Sequence, residues 1–313
     1  MPDSKNIDLV SFYVNAATRE NTVRSYRTAI EHYERHWGGL LPATPTAIAQ
    51  YLSHYADKLT SSTLAHRLAV LAKWHHEYGF PDPTKAPLVK KVMKGIRATH
   101  AYQTKQARPL QLEELKIIIQ WLEESIKESK DYRKGLRLIR NKAILLLGFW
   151  RAFRADELTN IHVEYVTMIP NKGMSLYFPT TKGDRDNKGV TYKVPALQKL
   201  CPVTAYQDWV TAAELSKGPL FVGIDRWGHF NHKSMTSNTI INIVRECASG
   251  AGLLHPDAFS SHSLRRGFAS WADSNGWSLK ELMEYVGWKD PKTALCYIGS
   301  SHKIQQHFIE QLK

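Results

Sequence analysis

The chain has 313 residues, with 42 lysines and arginines against 29 aspartates and glutamates, which gives a net charge of +13 at pH 7. Hydrophobic residues make up 43% of the sequence, and this excludes disorder along the whole length because enough apolar surface exists to offset the entropy of ordering. No apolar run approaches the roughly 20 residues that cross a bilayer. The start of the sequence, residues 1–5, has no apolar h-region, so no secretory signal is expected. The length favours about two domains, and the charge favours an anionic partner, with nucleic acid the leading candidate.

Residues 1–107 are predicted to form four helices. Apolar residues recur at spacings of three and four across positions 23–37, 48–55, 64–75 and 88–96, which is the period of an amphipathic helix. This part carries 14 basic and 8 acidic residues, a net charge of +6. The sequence therefore predicts a basic, all-α first domain.

The stretch from residue 83 to residue 112 contains no acidic residue. Its seven positive charges favour a helix and a basic linker that follow the phosphates of a duplex, because so many cations without a counter-charge are unusual on a purely solvated face. A solvated helix face followed by a flexible linker is the alternative. The candidate DNA-binding residues of this stretch are Lys85, Lys90, Lys91, Lys94, Arg97, Lys105 and Arg108.

The second part, residues 108–313, mixes helices with strands. Residues 136–153 are so apolar that they are predicted to form the central buried helix. Residues 174–178 and 190–194 have the composition of strands and flank a polar turn, which predicts a β-hairpin. The fold class is therefore predicted to be mostly α with a small antiparallel β-sheet. Further helices are predicted at 112–124, 201–215, 236–248, 262–275, 278–286 and 291–298.

Four separated clusters of polar residues in this second part form one ordered pattern. The first is an R-x-x-E-L motif that begins at Arg154, on the end of the predicted buried helix, and the second is Lys182, 28 residues later. The third is an H-x-x-R motif that begins at His262, and the fourth is Gly287-Trp288 with Tyr297 nine residues after the tryptophan. Each cluster alone is a common helix or turn fragment, so the information lies in their order and spacing together.

With these residues in this order, the sequence resembles the tyrosine recombinase family, which contains the phage integrases and the plasmid or transposon resolvases. The resemblance covers residues 8–300, with specific motifs in the second half and only helix content, charge and length in the first. It implies a C-shaped DNA clamp that joins a helical, SAM-like core-binding domain (1–107) to a catalytic domain (108–313). It also implies site-specific DNA recombination through a 3′-phosphotyrosine at Tyr297, with no metal, ATP or other cofactor.

The resemblance assigns a role to each catalytic residue. Arg154 and Arg265 clamp the non-bridging oxygens of the phosphate, because their forked donors suit two oxygens. Lys182 is the general acid for the 5′-hydroxyl, and His262 exchanges a proton at the phosphate. Trp288 packs in the site and donates one hydrogen bond. A tyrosine hydroxyl is a weak nucleophile at its ordinary pKa of about 10, so the surroundings must activate it.

Two further residues belong to the predicted site. Glu157 is expected to accept hydrogen bonds from the cations of the site rather than to react. Arg266 stands where the family often has histidine, and it is expected either to support the site or to contact the DNA backbone.

The resemblance also implies the partners. These are double-stranded DNA with inverted half-sites and a homotetramer that forms from one dimer on each site, in the cytoplasm or nucleoid of a bacterium or in a nucleus. An apolar face at positions 304, 308, 309 and 312 predicts a C-terminal helix that packs either on its own domain or on a neighbouring protomer. Two alternatives stay open: a DNA strand relaxer like the type IB topoisomerases, and a non-catalytic DNA-binding protein of the same fold.

The cysteines and histidines do not form a predicted metal site. Cys201, Cys247 and Cys296 are far apart and odd in number, which favours reduced thiols in a cytosolic protein. The histidine pairs at 75–76 and at 229 and 232 lack a carboxylate or cysteine at ligand spacing, so packing or surface roles are expected. The sequence contains no Walker-type phosphate loop, and ATP is therefore not implied.

Overall fold

The computed structural model divides into two compact units, Met1–Lys105 and Gln106–Lys313. Among its described residues, no helix is both long enough and apolar enough to cross a bilayer. The predictions for Lys105, for Lys182 and for the C-terminal helix lie outside the described residues. The structure describes residues 9, 11–13, 17–18, 20–100, 106–180 and 188–297, except for the side chain of His232.

The first unit contains the four predicted helices. Thr44 and Thr60 cap the second and third, because each threonine hydroxyl accepts a backbone N–H three residues later, that of Ala47 and that of Thr63. A π-helical turn extends the first helix, and a short 3₁₀ turn precedes the fourth. The bounds are α1 Glu20–Glu31, the π-turn His32–His36, α2 Pro45–His54, α3 Ser61–Glu77, the 3₁₀ turn Pro83–Lys85 and α4 Pro87–Thr99.

The amphipathic helix α4 shows how the first unit distributes its charge. Val89, Met93 and Ile96 are buried in the small core that this unit forms. These three positions share one face because a helix repeats every 3.6 residues. The opposite face therefore points to solvent, and it carries Lys90, Lys91, Lys94 and Arg97.

The second unit is built around α6, which is buried from Ala143 to Trp150. Helices α5, α8 and α10 pack against it. This second half of the helix is buried on every side, which is why it lacks a polar face. The helices are α5 Leu112–Glu128, α6 Tyr132–Trp150, α7 Ala155–Thr159, α8 Pro202–Ala212, α9 Ser237–Gly250, α10 Ser261–Ser274, α11 Leu279–Val286 and α12 Pro291–Leu295.

The end of α6 differs from the prediction. The helix stops at Trp150 rather than continuing to residue 153, because Ala152 adopts a left-handed conformation with φ of +50° and turns the chain. Arg154 consequently does not lie on the end of the buried helix. It has extended backbone and caps the separate short helix α7.

Two small antiparallel sheets complete the second unit. Strands β1 Val166–Ile169, β2 Gly173–Phe178 and β3 Val190–Pro195 form the first, in that order. The predicted hairpin is its β2–β3 pair, with Met174 opposite Val194, and residues 181–187 of its turn lie outside the described residues. Strand β1 and the second sheet, β4 Val222–Ile224 with β5 Phe230–Ser234, were not predicted.

Arginines on α6 hold the β4–β5 hairpin. The guanidinium of Arg140 is buried. Its Nη1 donates to the carbonyl of Val222 at 3.0 Å, and its Nη2 donates to the side-chain oxygen of Asn141 at 3.0 Å. Arg137 donates to the carbonyl of Asp225 at 2.6 Å. These guanidiniums satisfy carbonyl groups of the fold, so they bind the hairpin to the central helix.

Candidate active site

Arg154 and Glu157 form a capping box at the start of α7. The backbone N–H of Arg154 donates to Oε2 of Glu157 at 2.7 Å, and Nη1 of Arg154 donates to Oε1 at 2.6 Å. The Glu157 side chain is 9% exposed, whereas that of Arg154 is 31% exposed. The buried carboxylate therefore fixes the orientation of a guanidinium that solvent and a ligand can still reach.

Arg265 lies on α10 with only 1% of its side chain exposed. Its Nη1 donates to the carbonyl of Ala152 at 2.6 Å and lies 3.6 Å from Oε2 of Glu157. Burial and the nearby charge of Arg154 lower the pKa of Arg265 to about 10, so it stays cationic at neutral pH. Its Nε and Nη2 are buried and have no hydrogen-bond partner among the described residues. Buried donors without acceptors are costly to a fold, and these two could be satisfied by an acceptor that binds beside Arg265.

His262 and Tyr297 bring two reactive groups together. Ser260 caps α10 and accepts the backbone N–H of His262 at 3.2 Å, which fixes the first turn of this helix. Tyr297 follows α12, and its backbone N–H donates to the carbonyl of Ala294 at 2.9 Å. The Tyr297 hydroxyl lies 3.4 Å from Nδ1 of His262. Proton transfer between them needs only a small approach, which ligand binding commonly supplies.

Trp288 contacts both Arg265 and Tyr297. Gly287 ends α11 with φ of +78°, a conformation that glycine adopts without strain, and this turn directs the chain to Trp288. The buried Trp288 ring stacks on Tyr297 with 5.1 Å between centroids, and Cζ of Arg265 lies 4.9 Å from the Trp288 centroid. The indole Nε1 is buried and lacks a partner within the described ranges. It is a third unsatisfied donor beside the two of Arg265.

Arg266 and Arg108 both contact the protein. The guanidinium of Arg266 donates to the side chain of Gln106 and, at 3.4 Å, to the carbonyl of Cys296, the residue before the tyrosine. Arg108 forms an ion pair with Glu114 and donates to a backbone carbonyl. Arg266 therefore supports the segment that carries Tyr297, and the charge of Arg108 is already balanced by a carboxylate. Phosphate contacts by these two residues stay predictions.

The basic residues of the first unit are arranged differently. Lys90, Lys91, Lys94 and Arg97 are exposed on α4, and in the part of the chain that the structure describes no carboxylate lies within 4.0 Å of them. Lys85 lies 3.7 Å from Asp82. The four residues of α4 therefore form a basic face whose charges are not balanced by carboxylates.

Sequence reasoning missed two residues that lie beside this site. Arg151 is buried in the turn between α6 and α7, with its Cζ 4.0 Å from the ring of Tyr285 and 4.9 Å from that of Tyr192. Burial raises the pKa of Tyr192, which lies on β3. A single cation inside the apolar run at 143–153 was the signal for Arg151, whereas nothing in the strand pattern marked Tyr192.

No metal-binding cluster of three or more His, Cys, Asp or Glu side chains occurs within the described ranges. His75 shows what the buried histidine of one pair does instead. Its Nδ1 bonds the carbonyl of Leu71 at 2.7 Å, and its Nε2 accepts the N–H of Ala43 at 2.9 Å. Both ring nitrogens are therefore used by the fold.

Two family matches cover most of the chain. Residues 108–303 match the phage integrase family. Residues 12–78 match the N-terminal SAM-like domain of phage integrases. The first match contains every predicted catalytic residue, from Arg154 to Tyr297.

Individual proteins are similar over nearly the same length. An integrase/recombinase XerD homolog from Selenomonas ruminantium is 27% identical over 277 residues, which are 87% of this chain and 78% of that protein. The Cre recombinase of Escherichia phage P1 is 24% identical over 294 residues, which are 88% of this chain and 80% of that protein.

Solved structures share the fold. The XerH site-specific recombinase bound to its palindromic difH substrate aligns with a TM-score of 0.62 at 15% identity, over 93% of this chain and 79% of that one. The Tn1549 transposon integrase in complex with circular intermediate DNA aligns with a TM-score of 0.61 at 14% identity, over 94% of each chain.

Proposed function

The chain belongs to the phage integrase family, and on that premise we propose that this site-specific recombinase cleaves and rejoins DNA through a covalent bond to Tyr297. One observation carries the proposal. Two side chains that contact the ring of Tyr297 carry three buried donors without acceptors among the described residues, two on Arg265 and one on Trp288. A phosphodiester supplies the acceptors that these donors lack.

The charges of the pocket favour a phosphate. Arg154 and Arg265 contribute two positive charges, and Glu157 balances only one of them. The scissile phosphate carries one negative charge and develops more as a fifth oxygen approaches phosphorus. Donors that are fixed before the reaction stabilise that charge without reorganisation, and each is typically worth about 10²–10³ in rate.

The proposed chemical step is an in-line displacement. The hydroxyl oxygen of Tyr297 forms a bond to phosphorus, its proton moves to Nδ1 of His262, and the bond from phosphorus to the 5′-oxygen breaks. The 5′-oxygen leaves with a proton, for which Lys182 is the proposed donor. Since one phosphodiester replaces another, the bond energy is retained and attack by a 5′-hydroxyl of a second strand reverses the step.

The proposed substrate is duplex DNA with inverted half-sites. The XerH and Tn1549 structures contain DNA, and the basic face of α4 offers this chain a surface for phosphates. We assign core binding to residues 1–107 and catalysis to residues 108–313. One dimer on each site and a tetramer of two sites give every strand to be exchanged its own tyrosine.

The test is to trap the adduct and map it. Duplexes selected from random DNA by the full chain, with a nick placed just beyond the cut, should become covalently attached because the short 5′-hydroxyl strand diffuses away. Peptide mapping should find the nucleotide on Tyr297. An adduct on another residue, or no adduct on any selected duplex, would contradict the proposal. Relaxation of supercoiled plasmids regardless of the selected site would instead indicate a topoisomerase-like enzyme.

A further inference from the structure

A third guanidinium, that of Arg151, lies where three elements of the second unit meet. It follows α6, and its Cζ lies 4.0 Å from the ring centroid of Tyr285 on α11, 4.9 Å from that of Tyr192 on β3 and 5.7 Å from that of Phe153 in its own turn. Only 3% of the residue is exposed. One cation is therefore in contact with aromatic rings from α11, from β3 and from the turn after α6.

Arg151 also caps the helix that leads to Trp288. Its Nη2 donates to the backbone carbonyl of Tyr285 at 2.6 Å, in the last turn of α11. A cation at this end is favoured because carbonyls without helical partners accumulate there. The hydroxyl of Tyr285 donates in return to the carbonyl of Trp150 at 2.8 Å. The end of α11 is thus fixed to the end of α6 in both directions.

The two sides of this joint carry different halves of the active site. On the α11 side, Gly287 and Trp288 follow immediately, and the indole stacks on Tyr297. On the α6 side, the carbonyl of Ala152 next to Arg151 accepts Nη1 of Arg265. Any rotation of α11 relative to the α6–α7 turn would change the position of the tyrosine with respect to the phosphate clamp.

The burial of Arg151 costs more free energy than packing alone would require. Within the described ranges no carboxylate lies within 4.0 Å of Arg151, and its buried Nε has no hydrogen-bond partner. Burying a charge without an ion pair is unfavourable, and the aromatic rings offset only part of that cost. An apolar side chain of similar size would be the simpler solution for packing alone.

We propose that Arg151 is a positioning residue for strand cleavage, and that its stacked guanidinium holds Trp288 and Tyr297 in register with the Arg154–Arg265 clamp. The inference rests on the proposed function, because it concerns the rate at which Tyr297 attacks phosphorus. Lysine keeps the charge but lacks the planar fork that stacks and donates at once. The position therefore requires arginine specifically.

The experiment measures single-turnover adduct formation on a nicked, selected duplex at saturating concentration. Arg151→Lys and Arg151→Met should lower the rate constant by about 10–100-fold, because a misplacement of about 1 Å commonly costs this much. The amplitude of the reaction and the affinity for the duplex should stay within about twofold of wild type. Loss of structure would do the opposite, since it reduces the folded fraction and hence the amplitude.

The matched control is Arg140→Lys. Arg140 lies on α6, the helix that Arg151 follows. It is similarly buried and also donates to a backbone carbonyl of another element, but that element is the β4–β5 hairpin. Its replacement should lower the melting temperature and leave the rate constant within about twofold of wild type. Should an Arg151 variant fail to fold, Tyr192→Leu removes one stacking ring while keeping the arginine, and it should show the same loss of rate at full amplitude.

The outcomes distinguish a failure of the proposed function from a failure of the positioning role of Arg151. A wild-type chain that forms no adduct would overturn the proposed function itself. A normal wild-type adduct together with an unchanged rate constant in Arg151→Lys would overturn only the positioning role. A duplex with a 5′-bridging sulfur has a leaving group that needs no proton, and it should not restore the rate of the Arg151 variant. A restored rate would show that Arg151 acts on the departure of the 5′-oxygen and not on the position of Tyr297.

Discussion

Arg67 of the first unit and Arg265 of the candidate site differ in how far folding satisfies their hydrogen-bond donors. In the first unit, Arg67 donates to Nδ1 of His32 and, at 2.9 Å, to the hydroxyl of Tyr51, so neutral groups of the fold accept its hydrogen bonds. In the second unit, Arg265 and Trp288 retain three buried donors without acceptors among the described residues. The donors of Arg67 are used to stabilise the first unit, whereas the unsatisfied donors beside Tyr297 are available to a ligand.

The same contrast applies to the cations that solvent reaches. The lysines of α4 are surrounded by water, where salt screens their charge, and such residues attract a polyanion without fixing its geometry. The two arginines around Glu157 are fixed instead. Arg154 donates to Glu157 at 2.6 Å, and Arg265 donates to the carbonyl of Ala152 at 2.6 Å and lies 3.6 Å from Glu157. We therefore expect changes in the second unit to act on the rate of chemistry and changes on α4 to act on salt-dependent affinity.

The largest effect is expected for Tyr297→Phe, which removes one hydroxyl and keeps the ring that stacks on Trp288. The covalent adduct should disappear from denaturing gels, because no other nucleophile replaces the oxygen. Affinity for the selected duplex should stay within a factor of a few. An adduct that survives this substitution would reject Tyr297 as the nucleophile.

Lys182→Ala should come next, with cleavage slowed by about 10²–10⁴-fold if the lysine is the general acid. Its side chain lies outside the described residues, so this test rests on the family resemblance. A strand with a 5′-bridging sulfur should be cleaved by the variant at nearly the wild-type rate. Equal impairment on both strands would exclude the role and direct attention to Lys172 or Lys188.

Arg265→Lys tests the contrast between the units directly. The charge is kept but the fork is lost, and cleavage should fall by about 10²–10³-fold. The control is Arg67→Lys, where the guanidinium contacts neutral groups of the first unit, and its cleavage rate should stay near that of wild type. If Arg265→Lys cleaved at the wild-type rate, Arg265 would be a general DNA-contacting charge. The contrast between Arg265 and Arg67 would then be wrong.

Much of the fold followed from periodicity and turn residues. The fold class, the four helices of the first unit, the central helix and the β2–β3 hairpin were all predicted. The three strands that were missed are short, three to five residues each, and so offer too few positions for alternation to stand out. The end of α6 was placed too late because no proline or glycine marks the turn at Ala152.

The candidate site was accessible through motifs, since Arg154, His262, Arg265, Trp288 and Tyr297 do lie together. The contacts that hold this site in place could not be predicted from motifs. The contact of Arg151 with Tyr285 spans 134 positions of the sequence. Helical and strand periods report only which face a residue occupies, and they do not report which distant ring it meets.

A smaller effect is expected for the basic face of α4. Replacing Lys90, Lys91 and Lys94 together by alanine should weaken binding to every duplex, specific or not. If all three contact phosphates, the slope of log K against log salt should decrease by up to about 2.7, at about 0.9 per contact. Lys73 and Lys116 are already paired with Glu77 and Glu113, and their replacement should change the slope much less. A loss confined to the selected site would show that α4 reads bases.

The smallest effect is expected for His32, which accepts a hydrogen bond from Arg67 in the first unit. Burial, together with the neighbouring charges of Arg67 and His36, lowers the pKa of His32 to about 4. A histidine in the unfolded chain has a pKa of about 6.5. Between these two values the unfolded chain binds a proton that the folded unit rejects, so the free energy of unfolding falls as pH is lowered through this window and is insensitive to His32 above it.

His32→Gln should remove that dependence, because glutamine offers Arg67 an acceptor and does not titrate. Calorimetry of the full chain at pH 7 and at pH 5 provides the measurement. The wild-type transition of the first unit should move to lower temperature at pH 5 by a few degrees more than that of the variant. Equal shifts would show that His32 is protonated in the folded unit, and Arg67 could then not be satisfied by neutral partners as the comparison between the units requires.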